Sequence, residues 1–120
     1  MLFDTTAFRI TEQGIQTLWE KSKIIEQNLT NEDTPDYKCK YLFCEGVLKD
    51  KLRANGTVKK ELNIGYNVVT DKYTNDQADH NNVDHDVQMA ELLKTQYQIE
   101  ALINQMNGSF SRLRSAMNTK

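Results

Sequence analysis

Very little in this chain breaks a helix, and very little could build a catalytic or metal centre. Its 120 residues contain one proline, Pro35, and five scattered glycines, from which no phosphate-cradling loop can be assembled. The two cysteines, Cys39 and Cys44, have a C-x4-C spacing that fits neither zinc nor redox chemistry and reads as two ordinary thiols. No serine or cysteine sits in a motif that would place it beside a base, so an enzyme is not expected. No run approaches the ~18 apolar residues of a membrane span. The opening MLFDTTAFRITEQG lacks the basic and apolar regions of a cleaved signal peptide. The chain is therefore expected to stay in the cytosol or to leave it by another route.

Charge of one sign is also missing. With 15 basic and 17 acidic side chains the net charge is −2, which argues against a general nucleic-acid binder. Residues 61–86 are the exception, and an acidic middle fits a solvated insert. Within it, DHNNVDHD gathers His80, His85, Asp79, Asp84 and Asp86. The two histidines are not the i,i+4 pair of a zinc helix, and no third exists, so these acids read as helix caps on a solvated loop. DKYTND puts Tyr73 and Asp76 where a calcium loop needs Asp or Asn and Gly. Tyr37, Tyr41, Tyr66, Tyr73 and Tyr97 read as packing residues, because no basic groove accompanies them. No metal and no cofactor is expected.

What the sequence does have is helical periodicity. Met89, Leu92, Gln96, Ile99, Ile103, Met106, Phe110, Leu113 and Met117 step alternately by three and four, a coiled-coil seam. Leu93 and Leu102 widen it. Asp84 is the expected N-cap with Asp86 in the first turn, and Arg112 and Arg114 lie near the far end, where the dipole favours cations. A weaker copy runs through Phe8, Thr11, Ile15, Leu18, Ser22, Ile25 and Leu29, flanked by Trp19 and Ile24. That helix should begin near Asp4 to Thr6 and end at Leu29, where Asn31, Asp33 and Pro35 supply turn chemistry.

Laid antiparallel with Leu29 against Met89, the seams set Phe8 against Phe110 and Ser22 against Gln96, a matched polar layer that would fix register. The expected fold is mainly α: two long heptad helices paired as an antiparallel coiled coil, with an irregular or short β insert. Residues 1–30 form the first helix, 31–83 the turn and insert, and 84–120 the second helix, together one domain. Inside the insert, YLFCEGVLKDKL and LNIGYNVVTDKY have short apolar clusters and weak strand character, separated by the turn ANGT. A lone two-helix hairpin buries little apolar surface, so the stripes ask for partners.

Two stretches carry a family resemblance. Asn28-Leu-Thr-Asn-Glu-Asp-Thr-Pro-Asp-Tyr-Lys38 resembles the N-x-x-N-x-D-T-P-G-Y-K signature of bacterial flagellar rod, hook and hook-associated proteins. Asn28, Asn31, Asp33, Thr34, Pro35, Tyr37 and Lys38 match it. Asn82-Val-Asp-His-Asp-Val-Gln-Met-Ala-Glu-Leu-Leu-Lys-Thr-Gln96 is similar to the N-V-D-x-D-x-E-M-A-E-L-A-K-N-Q segment of the proximal rod members, and the ending around Phe110 to Ala116 fits them too. The likeness covers residues 5–42 and 80–118. Asp36 stands where the family has glycine, which suits a type I turn better than type II. Cys39, His85, Val87 and Gln88 also depart from the family's residue types.

The resemblance implies a structural subunit of the basal-body rod. Its terminal helices would pair and line a hollow axial tube, held there by the seam residues. The DTPDYK turn, shaped by Asn31, Thr34, Pro35 and Tyr37, would be where the chain leaves the helical core. Implied partners are copies of itself, other rod proteins (FlgC-like subunits and a FliE-like junction protein) and the flagellar type III export apparatus. The implied location is the periplasmic rod of the basal body, reached without a cleaved signal peptide. Export of an unfolded chain disfavours a Cys39–Cys44 disulfide before assembly. A stand-alone coiled-coil adaptor or export chaperone would explain the heptads but not NEDTPDYK. A small metal-dependent enzyme would rest on His80 and His85 alone.

Overall fold

The computed structural model describes residues 6–45, 64–74 and 78–118. Among the described residues, two helices, α1 (Thr6–Thr30) and α2 (His85–Asn118), flank a two-stranded antiparallel sheet of β1 (Lys40–Glu45) and β2 (Gly65–Thr70). The ANGT turn and the adjoining LKDKL lie outside the described residues. The molecule is elongated, 68 × 36 × 14 Å.

Each helix starts and stops for a local reason. Asp84 caps α2, its Oδ1 accepting from the amides of Asp86 (3.0 Å) and Val87 (3.2 Å), as the sequence predicts. At the other end α2 runs on to Asn118, so Arg112 and Arg114 fall short of its last turn, which contains no basic residue. The expected dipole pairing there is thus absent, because the effect fades within one turn. The α1 helix closes with tight i→i+3 bonds, Asn31 N to Asn28 O (3.1 Å) and Glu32 N to Leu29 O (3.3 Å). Asn31 Nδ2 then returns to the Gln27 carbonyl at 2.8 Å.

The helices run antiparallel, with Phe8 edge-on to Phe110 at 5.6 Å between ring centres, as the heptads predict. Between the ends, α1 keeps its whole seam at least half-buried, whereas on α2 alternate seam positions face solvent. The residues most buried between α1 and α2 are Thr17, Ile25 and Asn28 on one side and Gln88 and Thr95 on the other. Gly14 faces Leu102, whose Cδ1 would lie 3.4 Å from an added Cβ. Ile15, Leu18, Leu29, Leu92, Ile99, Met106 and Leu113 are half-buried, while Met89, Gln96, Ile103 and Phe110 are exposed.

A physical reason is visible in the threonines. Thr17 Oγ1 donates to Gln13 O (2.8 Å) and Thr95 Oγ1 to Glu91 O (2.7 Å), so each hydroxyl is satisfied on its own helix. Neither buried hydroxyl therefore needs a polar partner on the other helix. The Ser22–Gln96 layer does not form. Ser22 donates instead to Glu26 Oε1 on its own helix (3.1 Å), and Gln96 faces solvent. Polar links that cross between the helices include Lys21 to Glu91 (2.8 Å) and Asn28 to Gln88 (3.0 Å).

The sheet pairs Lys40 with Thr70 through to Glu45 with Gly65. It lies beside α1, where the Ile64 amide donates to Gln13 Oε1 at 3.2 Å. Tyr41, Phe43, Tyr66, Val68 and Val69 remain exposed on it.

The turn after α1 departs from the sequence expectation. Tyr37 N bonds to Thr34 O (3.3 Å), and Asp36, third in that turn, has φ 59°. A positive φ at this position belongs to a type II turn, not the type I turn that Pro35-Asp36 favours. The Asp36 amide donates to Asp79 O at 3.0 Å, which holds the left-handed conformation against its intrinsic cost. Asp36→Gly should therefore keep the fold and change the unfolding midpoint little or raise it. Asp36→Val, β-branched at positive φ, should cost about 1–3 kcal/mol. Equal stability of both variants in a denaturant titration would show that the left-handed residue is not under strain.

Candidate functional site

The residues of the two matching stretches meet at one place, the junction between the end of α1, the start of β1 and the start of α2. Asn28 is its centre and is fully buried. Its Nδ2 donates to the Lys40 carbonyl (2.8 Å) and to Gln88 Oε1 (3.0 Å). Its Oδ1 accepts from the Lys40 amide (3.0 Å) and the Tyr37 hydroxyl (3.2 Å). One side chain thus takes both backbone groups of the first residue of β1, as a neighbouring strand would.

Asn81, also fully buried, does the same for the turn. Its Nδ2 reaches the carbonyls of Asn31, Glu32 and Thr34 at 2.9, 2.8 and 2.9 Å. Its Oδ1 accepts from the Val83 amide at 2.8 Å, which turns the chain toward Asp84 and α2. Asn82 Oδ1 accepts from the Cys39 amide (2.6 Å), while its Nδ2 donates to Thr74 Oγ1 (2.9 Å). Three asparagines therefore replace the water that these backbone groups would otherwise need.

Charged groups close the rim. Lys38 Nζ donates to the carbonyls of His80 (2.7 Å) and Thr74 (3.2 Å), fastening the loop before α2 to the strand entry. Asp71 accepts from the Thr74 hydroxyl (2.6 Å) and the Tyr73 amide (3.0 Å), and these bonds hold its carboxyl below the usual carboxylate range. Burial pushes the Tyr37 phenol up, with the neighbouring Cys39 adding to it. Burial likewise raises the Cys39 thiol, whose sulfur accepts from Gln88 Nε2 at 3.4 Å. Both cysteines are free, Cys39 buried and Cys44 exposed.

The structure thus brings together Asn28, Asn31, Thr34, Tyr37 and Lys38, while Asp33 and Pro35 stay exposed on the turn. Thr34 Oγ1 donates to Asn31 Oδ1 at 3.1 Å. Sequence reasoning missed Asn81 and the role of Gln88, and passed over Cys39 as a plain thiol. A signal existed in the doubled asparagine before the Asp84 cap, since short amides at a helix entry commonly bond backbone. Among the described residues no group of three or more His, Cys, Asp or Glu side chains could hold a metal ion. His85 instead contacts Glu32.

A second feature is apolar. Along α2, Val87, Met89, Leu93, Ile103, Phe110 and Met117 are exposed, and Trp19 is exposed on α1. At the open end of the helix pair a groove of about 340 Å³ is lined by Phe8, Thr11, Met106, Ser109, Arg112 and Leu113 among others. No helix among the described residues is long and apolar enough to cross a membrane.

No protein-family model matches the chain. It is 31 % identical over 105 residues to the flagellar basal body rod protein FlgB of Bacillus subtilis (strain 168), covering 81 % of each chain. The chain belongs to the FlgB family. FlgB membership fits the two matching stretches, and the structure adds the physical reason for their spacing. Asn28 of the first bonds Gln88 of the second, and Asn82 and Gln88 of the second bond Cys39, the residue just after the first.

Proposed function

We propose that the chain is a structural subunit of the flagellar basal-body rod, polymerising with other rod proteins into the hollow axial shaft. The observation that carries this reading, beside the FlgB relationship, is the uncovered apolar stripe of α2. Large apolar side chains left exposed along one helix are the kind of surface a protein partner covers. Here the polar junction ties the two helices together through Asn28 and Gln88, beside that stripe. Catalysis has no part in this reading, because the conspicuous polar side chains are spent on backbone groups.

In the assembled rod, residues 1–30 and 84–120 are the axial helices lining the lumen, and residues 31–83 lead outward from the junction, the three acting as one domain. The stripe is covered by copies of the chain and by FlgC-like and FliE-like neighbours. The subunit passes through the type III export apparatus without a cleaved signal and resides in the periplasmic part of the basal body. Recovery of the chain in purified basal bodies, with its stripe shielded, supports the proposal. Its absence from them would refute it.

A further inference from the structure

His85 and Glu32 stand outside the buried amide network, yet they join its two sides across the surface. Glu32 lies in the turn after α1, and His85 is the first residue of α2. The imidazole Nδ1 is in hydrogen-bond contact with Glu32 Oε2. The backbone of Glu32 is meanwhile one of the three carbonyls held by Asn81. The contact therefore bridges the turn and the helix entry that the asparagines pull together from inside.

The charged groups facing the ring are Glu32 from the turn and Asp84 and Asp86 from its own helix start. A cation at a helix N-terminus meets the positive end of the dipole, so the carboxylates, not the helix, favour the protonated ring. The Glu32 hydrogen bond first, and then the Glu32 charge, raise the imidazole above its ordinary value of 6.5, against a smaller loss of hydration.

We propose that the His85–Glu32 pair is a pH-sensitive clasp on the junction, tightened by charge when the ring is protonated and slackened when it is neutral. The sign follows from the direction of the shift. A group whose folded value is raised lends its full stabilisation below the unfolded value of 6.5 and loses it as pH rises through the folded one. The clasp sits on the isolated chain, so its test does not depend on the rod assignment.

The test is NMR titration of His85 in the full chain, with protection factors of the Asp36 and Val83 amides followed between about pH 5 and 8. Both amides belong to the junction, bonding to Asp79 O and Asn81 Oδ1. Protection in the wild type should fall by about two- to fivefold as pH passes the His85 midpoint, the size expected of an exposed ion pair. Glu32→Gln should lower that midpoint, and His85→Gln should abolish the step in protection. A midpoint unchanged by Glu32→Gln, or junction protection indifferent to the titration, overturns the clasp.

Discussion

Asn28→Ala is expected to destabilise the chain by about 3 kcal/mol, the largest effect of any single side-chain truncation at the junction. The side chain is fully buried and makes four hydrogen bonds, to the Tyr37 hydroxyl, both backbone groups of Lys40, and Gln88. Truncation leaves those partners facing a space lined by polar atoms in the interior. An unmade buried bond costs more than a made one contributes, because the orphaned group has already lost its water. Urea unfolding followed by far-UV circular dichroism should show a lower midpoint. Amide exchange should speed most at Lys40, whose N–H loses its acceptor. A variant with unchanged stability would mean that water replaces the amide, and that Asn28 does not organise the junction.

Asn81→Ala should cost about 2–3 kcal/mol. It releases the carbonyls of Asn31, Glu32 and Thr34 and the amide of Val83 together. The effect is smaller than at Asn28 because the turn lies at the surface, where freed carbonyls can rotate toward solvent. The two variants should not add. Both loosen the same joint between the end of α1 and the entry to α2, so the double variant should lose less than the summed losses. Full additivity in a double-mutant cycle would show two independent clusters instead of one junction.

The same residues show what a sequence can and cannot disclose. The helices and their ends were legible, because periodicity, the Asp84 cap and the turn chemistry around Pro35 are local signals. The face by which the helices meet was not. A hydrophobic pattern counts Met89 and Ile103 as core, yet both are exposed, whereas Thr17 and Thr95 are buried with their hydroxyls bonded on their own helices. The turn geometry also escaped, since the propensity of Asp36 was outweighed by the carbonyl of Asp79, 43 positions away in the chain. Asn28 was visible as a motif residue, but its chemistry lies in partners 12 and 60 residues distant. The short strands emerged only in outline, because their alternation is weak and both faces carry exposed apolar residues.

The central claim is that neighbouring rod subunits cover the stripe that this hairpin leaves bare. Thiol labelling tests it most directly, with Cys44→Ser removing the exposed native cysteine while Cys39 stays buried. Leu93→Cys and Ile103→Cys would be introduced singly at exposed stripe positions. Both should react readily in the isolated chain, become protected in purified basal bodies, and react again when those are dissociated. Equal labelling of the free chain and of basal bodies that contain it would contradict the account.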